Sequence, residues 1–183
     1  MSYKRWLFVA ILLFGIGIAL GLSTSTGFAS LISEDIAVLK ELGGLLASLP
    51  LALVVVIIFI KNASVLLLSF AFSPIFCLVP ILTLTVNGWL LAFVSVLVSQ
   101  EKSLGFVLAG LLPHGIFELP ALILGEAAAL SFGTVAMLAL FKKERRDLLL
   151  PSLKRNLRYL IVALALLLPA AIIETYVTPL LLT

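Results

Sequence analysis

Long apolar runs, separated by short polar or proline-containing steps, make up most of this chain. They cover residues 6–22, 45–60, 63–86, 88–99, 104–141 and 157–182. A helix needs about 20 mostly apolar residues to cross a hydrocarbon core of about 30 Å, and it satisfies its own backbone hydrogen bonds there. The pattern therefore predicts an all-α, polytopic transmembrane helical bundle of six or seven elements, forming a single domain over residues 1–183.

The run at residues 104–141 is too long for one crossing and is interrupted by Pro113, Gly115 and Pro120. Proline removes a backbone hydrogen bond and clashes with the preceding turn. Residues 104–112 are too few to span the membrane, whereas Pro120 suits the first turn of a second helix. We therefore expect a proline-broken helical hairpin, either re-entrant or a short double crossing, whose turn faces the bundle interior.

Other interruptions predict where further helices end or bend. Asn62 and Asn87 each stand between apolar runs, so we expect them to cap helix ends rather than to contact a ligand. Pro74 and Pro80 fall within a single apolar run, where we expect them to bend the helix.

The one long polar connection, residues 23–49, carries apolar residues at helical spacing. Ser33 can cap a helix whose first turn holds Glu34 and Asp35, both favourable near the positive end of the helix dipole. The apolar positions that follow are Ile36, Leu39, Leu42 and Leu46. We therefore expect an external amphipathic helix that lies on the membrane surface and caps the bundle, with partner docking as the alternative.

Composition places the chain in the membrane class. Hydrophobic residues make up 63% of the sequence, charged residues 11%, and the mean hydropathy is +1.30. So little polar surface cannot coat a soluble globule of this length. We therefore expect an integral membrane protein surrounded by the lipid bilayer, with no nucleic-acid partner. The single Cys77 excludes an intramolecular disulfide and a thiol metal site.

Basic residues predict the orientation of the bundle, because they concentrate in cytoplasmic loops. Eleven of the twelve Lys and Arg residues share one side if residues 4–5, Lys61, Lys102 and residues 142–158 are cytoplasmic, which leaves Lys40 outside. This assignment puts the N-terminus in the cytoplasm and the C-terminus outside. It also requires an even number of crossings between Lys102 and residue 142, in agreement with a hairpin.

The chain's only histidine, His114, lies with Glu118 inside the longest apolar run. An ionisable side chain at the bilayer centre costs roughly 2.5 to 3.5 kcal/mol, so it generally has a partner or a function. If this segment is helical, both side chains share one face as a two-ligand metal unit that Glu126 or Glu174 would complete. Three interpretations stay open: a hydrogen-bonded polar cluster that fixes the hairpin, a proton or ion path, and a divalent metal site.

Several of these segments together resemble the stage II sporulation protein M family of polytopic membrane proteins. The segments are G-L-L-P-H-G-I-F-E-L-P-A at residues 110–121, the small residues that continue to Gly133, the asparagine steps at Asn62 and Asn87, and I-E-T-Y-V-T-P at residues 173–179. The resemblance spans residues 62–179, and P-H-G-x-x-E-x-P is its most specific part.

The resemblance implies which residues form the functional site. His114, Glu118 and Glu174 correspond to the polar signature of the family. Pro113, Gly115 and Pro120 correspond to supporting backbone positions. Glu126 stands where the family pattern leads us to expect a small residue.

The expected function is that of a non-enzymatic scaffold or complex subunit in the cell membrane. The sporulation member of the family resembles a scaffold that holds cell-wall hydrolases at an engulfing membrane, but its relatives in non-sporulating cells and archaea cannot share that task. The sequence has no nucleotide-binding loop and no Ser or Cys nucleophile with a matched base, which argues against familiar enzyme chemistry. The expected partners are other membrane or membrane-associated proteins, or further copies of the chain.

Two other function classes stay open. A small ion- or proton-coupled transporter or channel component would use His114, Glu118 and Glu174 as its coupling site, since broken helices with ionisable groups recur in transporters. An intramembrane metal-dependent hydrolase would use the same residues as metal ligands.

Overall fold

The helices of the protein run nearly end to end along the chain. A computed structural model describes residues 3–24, 44 and 48–182. The helices are α1 (Tyr3–Ser23), α2 (Leu51–Phe72), α3 (Leu78–Glu101), α4 (Leu104–Phe141), a 3-10 helix (Lys143–Leu148), α5 (Leu149–Tyr176) and α6 (Thr178–Leu181). The described residues contain no strand, so the all-α bundle is confirmed. Most of the predicted amphipathic segment at residues 23–49 lies outside the described residues.

Helix α4 is the centre of the bundle and contacts every other described helix. One side of it packs with α2 and α5, around Leu66, Leu160 and Leu167. The other side packs with α1 and α3, around Phe14 and Leu84. Both sides of α4 present alanines at these contacts, which lets the neighbouring helices approach closely.

The predicted hairpin is wrong, because α4 is one α-helix of 38 residues with Pro113 and Pro120 inside it. Gly115 is buried within that helix and forms no turn. The prolines stand seven residues apart, close to two helical turns, so both interrupt the backbone ladder on the same side. Transmembrane helices tolerate such prolines when neighbouring helices and local adjustments satisfy the freed carbonyl groups. Contacts with the rest of the bundle therefore override the local preference for a break.

Five of the described helices are long and apolar enough to cross a membrane, one fewer than the smallest number that the sequence predicts. The last of them combines the 3-10 helix with α5. Helix α4 has 38 residues and is about 57 Å long. A 40° tilt across about 30 Å of hydrocarbon takes up only about 39 Å of helix. Helix α4 therefore extends beyond the hydrocarbon core.

Close backbone contacts show how the helices run relative to one another. Gly17 and Gly21 of α1 lie against Thr85 and Trp89 of α3, so these two helices are parallel. A Cβ atom at Gly17 would overlap the carbonyl oxygen of Thr85, which explains why glycine is needed there.

Helices α2 and α4 are parallel as well. Gly125 of α4 lies against Leu66, and Gly133 lies against the backbone of Ser73, just after α2. The chain therefore reverses at residues 73–77, 102–103 and 142–148. We call the end with Tyr3 and residues 73–77 and 142–148 the basic end, and the end with residues 102–103 and 177–182 the opposite end.

The shared cytoplasmic placement of Lys61, Lys102 and residues 142–158 is therefore wrong. Lys102 and Lys142 flank the two ends of α4, and Lys61 lies in the middle of α2. The hairpin error caused this mistake, since one crossing lies between Lys102 and Lys142 where two were expected. Positive-inside reasoning now predicts a cytoplasmic basic end, which carries nine of the twelve basic residues. Residues 3 and 182 then face opposite sides.

The smaller interruptions also differ from expectation. Asn62 and Asn87 lie inside α2 and α3, so the prediction that they cap helix ends is wrong. Asn87 donates instead to the carbonyl oxygen of Thr83, one turn earlier, at 2.7 Å. Pro74 lies in the turn after α2, and Pro80 lies in the first turn of α3, where a missing N–H has little cost. The pair therefore ends and starts helices rather than bending one.

Candidate polar site

The continuous course of α4 brings His114 and Glu118 onto one helix face. Their side chains lie four residues apart, and His114 Nε2 is 3.7 Å from Glu118 Oε2. Glu174, near the end of the neighbouring helix α5, lies beside both side chains. One ligand atom from each of the three side chains lies within 4.8 Å of the other two. The structure thus brings together the three residues that the sequence singled out, although the hairpin expected to hold them is absent.

Two neighbouring helices supply polar partners to this site. The side-chain amide of Asn62 on α2 donates to Glu118 Oε1 at 3.1 Å. His114 Nδ1 lies 3.4 Å from the hydroxyl of Thr178, the first residue of α6. Helices α2, α4, α5 and α6 therefore meet at one polar cluster. We define this cluster as His114, Glu118 and Glu174, with Asn62 and Thr178 as partners.

The cluster is only half-buried. The side chain of His114 is 14% exposed and that of Glu118 is 30% exposed. A small cavity of about 80 Å³ lies beside Glu118 and is also lined by Lys61, Asn62 and Asn87. Glu118 is therefore not sealed inside the bundle.

Hydrogen bonds within the described residues leave the cluster's carboxylates short of donors. Glu118 accepts one bond from Asn62, and its contact with His114 is longer than a hydrogen bond. Glu174 accepts no side-chain hydrogen bond from any described residue. Two half-buried carboxylates at this separation repel each other unless a proton or a cation lies between them. The arrangement is thus suited to hold positive charge.

One imidazole nitrogen and two carboxylates also form a sensible metal ligand set. Zinc enzymes bind their metal through three protein ligands of these types and leave a fourth position open. Ligand atoms around one tetrahedral zinc stand about 3.4 Å apart, from bond lengths near 2.1 Å. The cluster atoms lie within 4.8 Å, so small side-chain rotations would close them around an ion. The residues therefore fit a divalent cation.

Glu126, the fourth predicted metal ligand, does not join the cluster. It lies two turns further along α4, is fully buried, and accepts a short hydrogen bond from the hydroxyl of Ser69 on α2. Its other carboxylate oxygen has no hydrogen-bond partner in the described part of the chain. Of the two residues proposed as the third ligand, Glu174 lies beside His114 and Glu118, whereas Glu126 lies apart from them.

Sequence reasoning missed the partners of the cluster rather than its centre. Asn62 was expected to cap a helix, since only the folded bundle shows that α2 continues past it. Thr178 falls within the terminal I-E-T-Y-V-T-P segment, four residues after Glu174. That spacing was the available signal, because residues four apart on a helix share a face.

Comparison with known proteins shows the family of this chain. The family model described as Stage II sporulation protein M matches residues 7–179. The chain belongs to the stage II sporulation protein M family. An uncharacterized protein of Methanocaldococcus jannaschii is 31% identical over 123 residues, which cover 65% of this chain and 67% of that protein. No solved structure gives a significant match.

Membership confirms the resemblance that the sequence carried. Together with the five candidate spans, it identifies a multi-pass membrane protein. Pro113, Gly115 and Pro120, the supporting positions that the resemblance implied, all lie in the part of α4 around the cluster.

Proposed function

We propose that the protein is a non-enzymatic membrane scaffold or complex subunit, in which the polar cluster ties four helices together and binds a divalent cation. The observation that carries this proposal is the closed middle of the bundle. Residues 125–131 of α4 are buried without exception. Seven consecutive residues cover every face of a helix with 3.6 residues per turn, so neighbours enclose α4 on all sides at this level.

The enclosed section separates the polar cluster from the basic end. Ala127, Ala128 and Ala129 are fully buried, and a Cβ atom at Gly125 would lie 2.9 Å from a methyl carbon of Leu66, which would have to shift to make room. An interior this tightly packed has few voids larger than a water molecule. A rigid centre of this kind suits a protein that holds partners in place.

The cluster has a clear task in such a scaffold. Near the opposite end, α2, α5 and α6 contact α4 through polar side chains rather than through the small apolar residues that join them elsewhere. A cation held by His114, Glu118 and Glu174 would connect α4 to α5, while Asn62 and Thr178 join α2 and α6 to the same cluster. Because the ligands come from different helices, binding would stabilise the assembled bundle over any opened form.

An ion-flux measurement tests the scaffold directly. Purified protein in sealed vesicles should give no proton or divalent-cation flux above that of protein-free vesicles. Flux that depends on the protein and is lost in the Glu118→Gln variant would overturn the proposal that the protein is a scaffold. Glu126→Gln is the matched control, since it makes the same chemical change on the same helix but outside the cluster.

The second candidate is an ion- or proton-coupled transporter component, and one observation favours it. Glu118 is 30% exposed beside a cavity that also contains Lys61, so the cluster is accessible from outside the bundle. Ionisable side chains within transmembrane segments mark ion and proton pathways in transporters. Transport would require the section at residues 125–131 to open, and flux sensitive to Glu118→Gln would reveal that motion.

A further inference from the structure

A second and larger cavity lies at the basic end, away from the polar cluster. It has a volume of about 550 Å³ and lies between α1, α4, the 3-10 helix and the start of α5. Its walls are largely apolar, with Trp6 on one side and Val135 and Leu138 on another. This size falls within the range of pockets that bind small molecules.

The polar groups of this cavity are arranged in two layers. Arg145 and Arg155 are exposed and line it from the 3-10 helix and from α5. Ser131 and Ser152 also line it but are buried, and Thr134 is half-buried. Guanidinium groups thus face solvent while hydroxyl groups lie deeper among apolar side chains.

Part of each layer lacks a partner in the described chain, although Ser152 Oγ accepts a hydrogen bond from the side-chain amide of Asn156 at 3.1 Å. The hydroxyl of Ser131 is 1% exposed and has no hydrogen-bond partner. Burying a polar group without a partner is unfavourable, and a ligand atom that hydrogen-bonds to it would remove that cost. Arg145 and Arg155 form no ion pair with any described residue. Among the described residues, the cavity therefore presents unpaired guanidinium groups at its rim and the unpaired hydroxyl of Ser131 in its interior.

We propose that this cavity binds the head group of an anionic phospholipid. The phosphate would lie between Arg145 and Arg155, since one guanidinium group can donate two parallel N–H···O hydrogen bonds to a phosphate. The glycerol or ester oxygens would reach Ser131 and Ser152, and the apolar walls would contact the first carbons of the acyl chains.

A lipid suits the cavity better than a free phosphate ion for two reasons. The apolar walls would have nothing to bury against a small, fully hydrated ion. The site also lies where membrane-spanning helices end, and residues 142–158 contain seven basic and two acidic residues. Basic pockets between helices at this level of a membrane protein bind anionic head groups. The proposal does not depend on the role of the polar cluster.

Binding can be measured with the full-length protein in nanodiscs or by native mass spectrometry. The probe is phosphatidylglycerol, with phosphatidylcholine as the neutral comparison. Wild type should bind phosphatidylglycerol at least tenfold more tightly. The double variant Arg145→Gln/Arg155→Gln should lose about 25-fold of that affinity, since each guanidinium group that contacts the phosphate contributes about a factor of five and the two factors multiply.

A matched control removes the same charge from the same end. Lys154 and Arg158 are exposed on α5 and do not line the cavity, so neither would contact the bound phosphate, and Lys154→Gln/Arg158→Gln should lose about fivefold less affinity than the cavity pair. Ser131→Ala should weaken binding about threefold, since it removes one neutral hydrogen bond, and should leave the thermal stability of the lipid-free protein unchanged or higher.

Three outcomes would overturn the proposal. Equal losses in the two double variants would mean that general surface charge binds the lipid. Equal binding of the two lipids would mean that no anionic head group is recognised. Displacement of phosphatidylglycerol by millimolar inorganic phosphate would assign the cavity to a soluble phosphate instead.

Discussion

The two halves of α4 belong to one continuous helix but differ in residue type and in burial. The half at residues 104–120 contains both prolines, His114 and Glu118. Gly115 is the only buried residue in that half. The half at residues 121–141 contains six of the helix's seven alanines and ten of its eleven buried positions. The first half therefore carries the chemistry and depends on its neighbours for support. The second half forms the close-packed core that provides this support.

This contrast explains where sequence reasoning failed. The prolines of the first half indicate a break because their local preference is strong. The preference is outweighed by contacts between helices distant in sequence, which a linear pattern does not contain. The small residues Ala121, Gly125, Ala129 and Gly133 of the second half recur every four positions, which places them near one face of a helix, and all four are buried.

Some residues of the candidate sites could be identified from the sequence, and others could not. His114, Glu118 and Glu174 were found because ionisable groups stand out in an apolar sequence. Asn62 and Thr178 were missed, since their roles follow from helices α2 and α6 meeting α4. The basic-end cavity has no sequence signature, because Trp6, Ser131 and Arg155 come from three different helices.

The largest expected effect concerns the continuity of the two halves. Lys102→Cys and Lys143→Cys place thiols beyond the two ends of α4 at exposed positions. An impermeant maleimide added to intact cells should label position 102 and should label position 143 only after permeabilisation. Burial raises the pKa of the native Cys77 thiol, so little thiolate forms at neutral pH and background labelling stays low.

The same experiment distinguishes a helix from a hairpin. A hairpin would place positions 102 and 143 on one side of the membrane. Equal labelling of the two positions before permeabilisation would therefore contradict the continuous helix.

A matched pair of glycines tests the close packing of the second half. A Cβ atom at Gly133 would overlap the backbone carbonyl of Ser73, whereas one at Gly115 would meet only side-chain carbons of Leu111 and Leu119 at 3.9 and 4.0 Å. Gly133→Ala should therefore lower the free energy of unfolding by about 1 to 3 kcal/mol. Gly115→Ala should change it little or raise it by up to about 1 kcal/mol. Thermal unfolding in detergent measures both, and equal losses would refute the contrast between the halves.

A proline pair tests the first half with a smaller expected effect. Pro120 lies in the helix interior, so Pro120→Ala restores an N–H that can bond to the carbonyl of Ile116. We expect the free energy of unfolding to rise by up to about 1 kcal/mol, because neighbouring helices already compensate for part of the missing bond. Pro151 lies in the first turn of α5, where the N–H has no helical partner, and Pro151→Ala should have almost no effect. A large loss in Pro120→Ala would instead mean that Pro120 starts a helix.

The most direct test of the account is the metal content of the purified protein and its effect on thermal unfolding. Wild type should bind about one divalent cation per chain, and removal by a chelator should lower the unfolding temperature, since a ligand that binds only the folded state stabilises it. Glu118→Gln and Glu174→Gln should abolish both the bound ion and the chelator effect, whereas Glu126→Gln should retain both. Wild-type protein that binds no divalent cation, or a Glu126→Gln variant that loses the ion as completely as Glu118→Gln, would contradict the proposed role of the polar cluster.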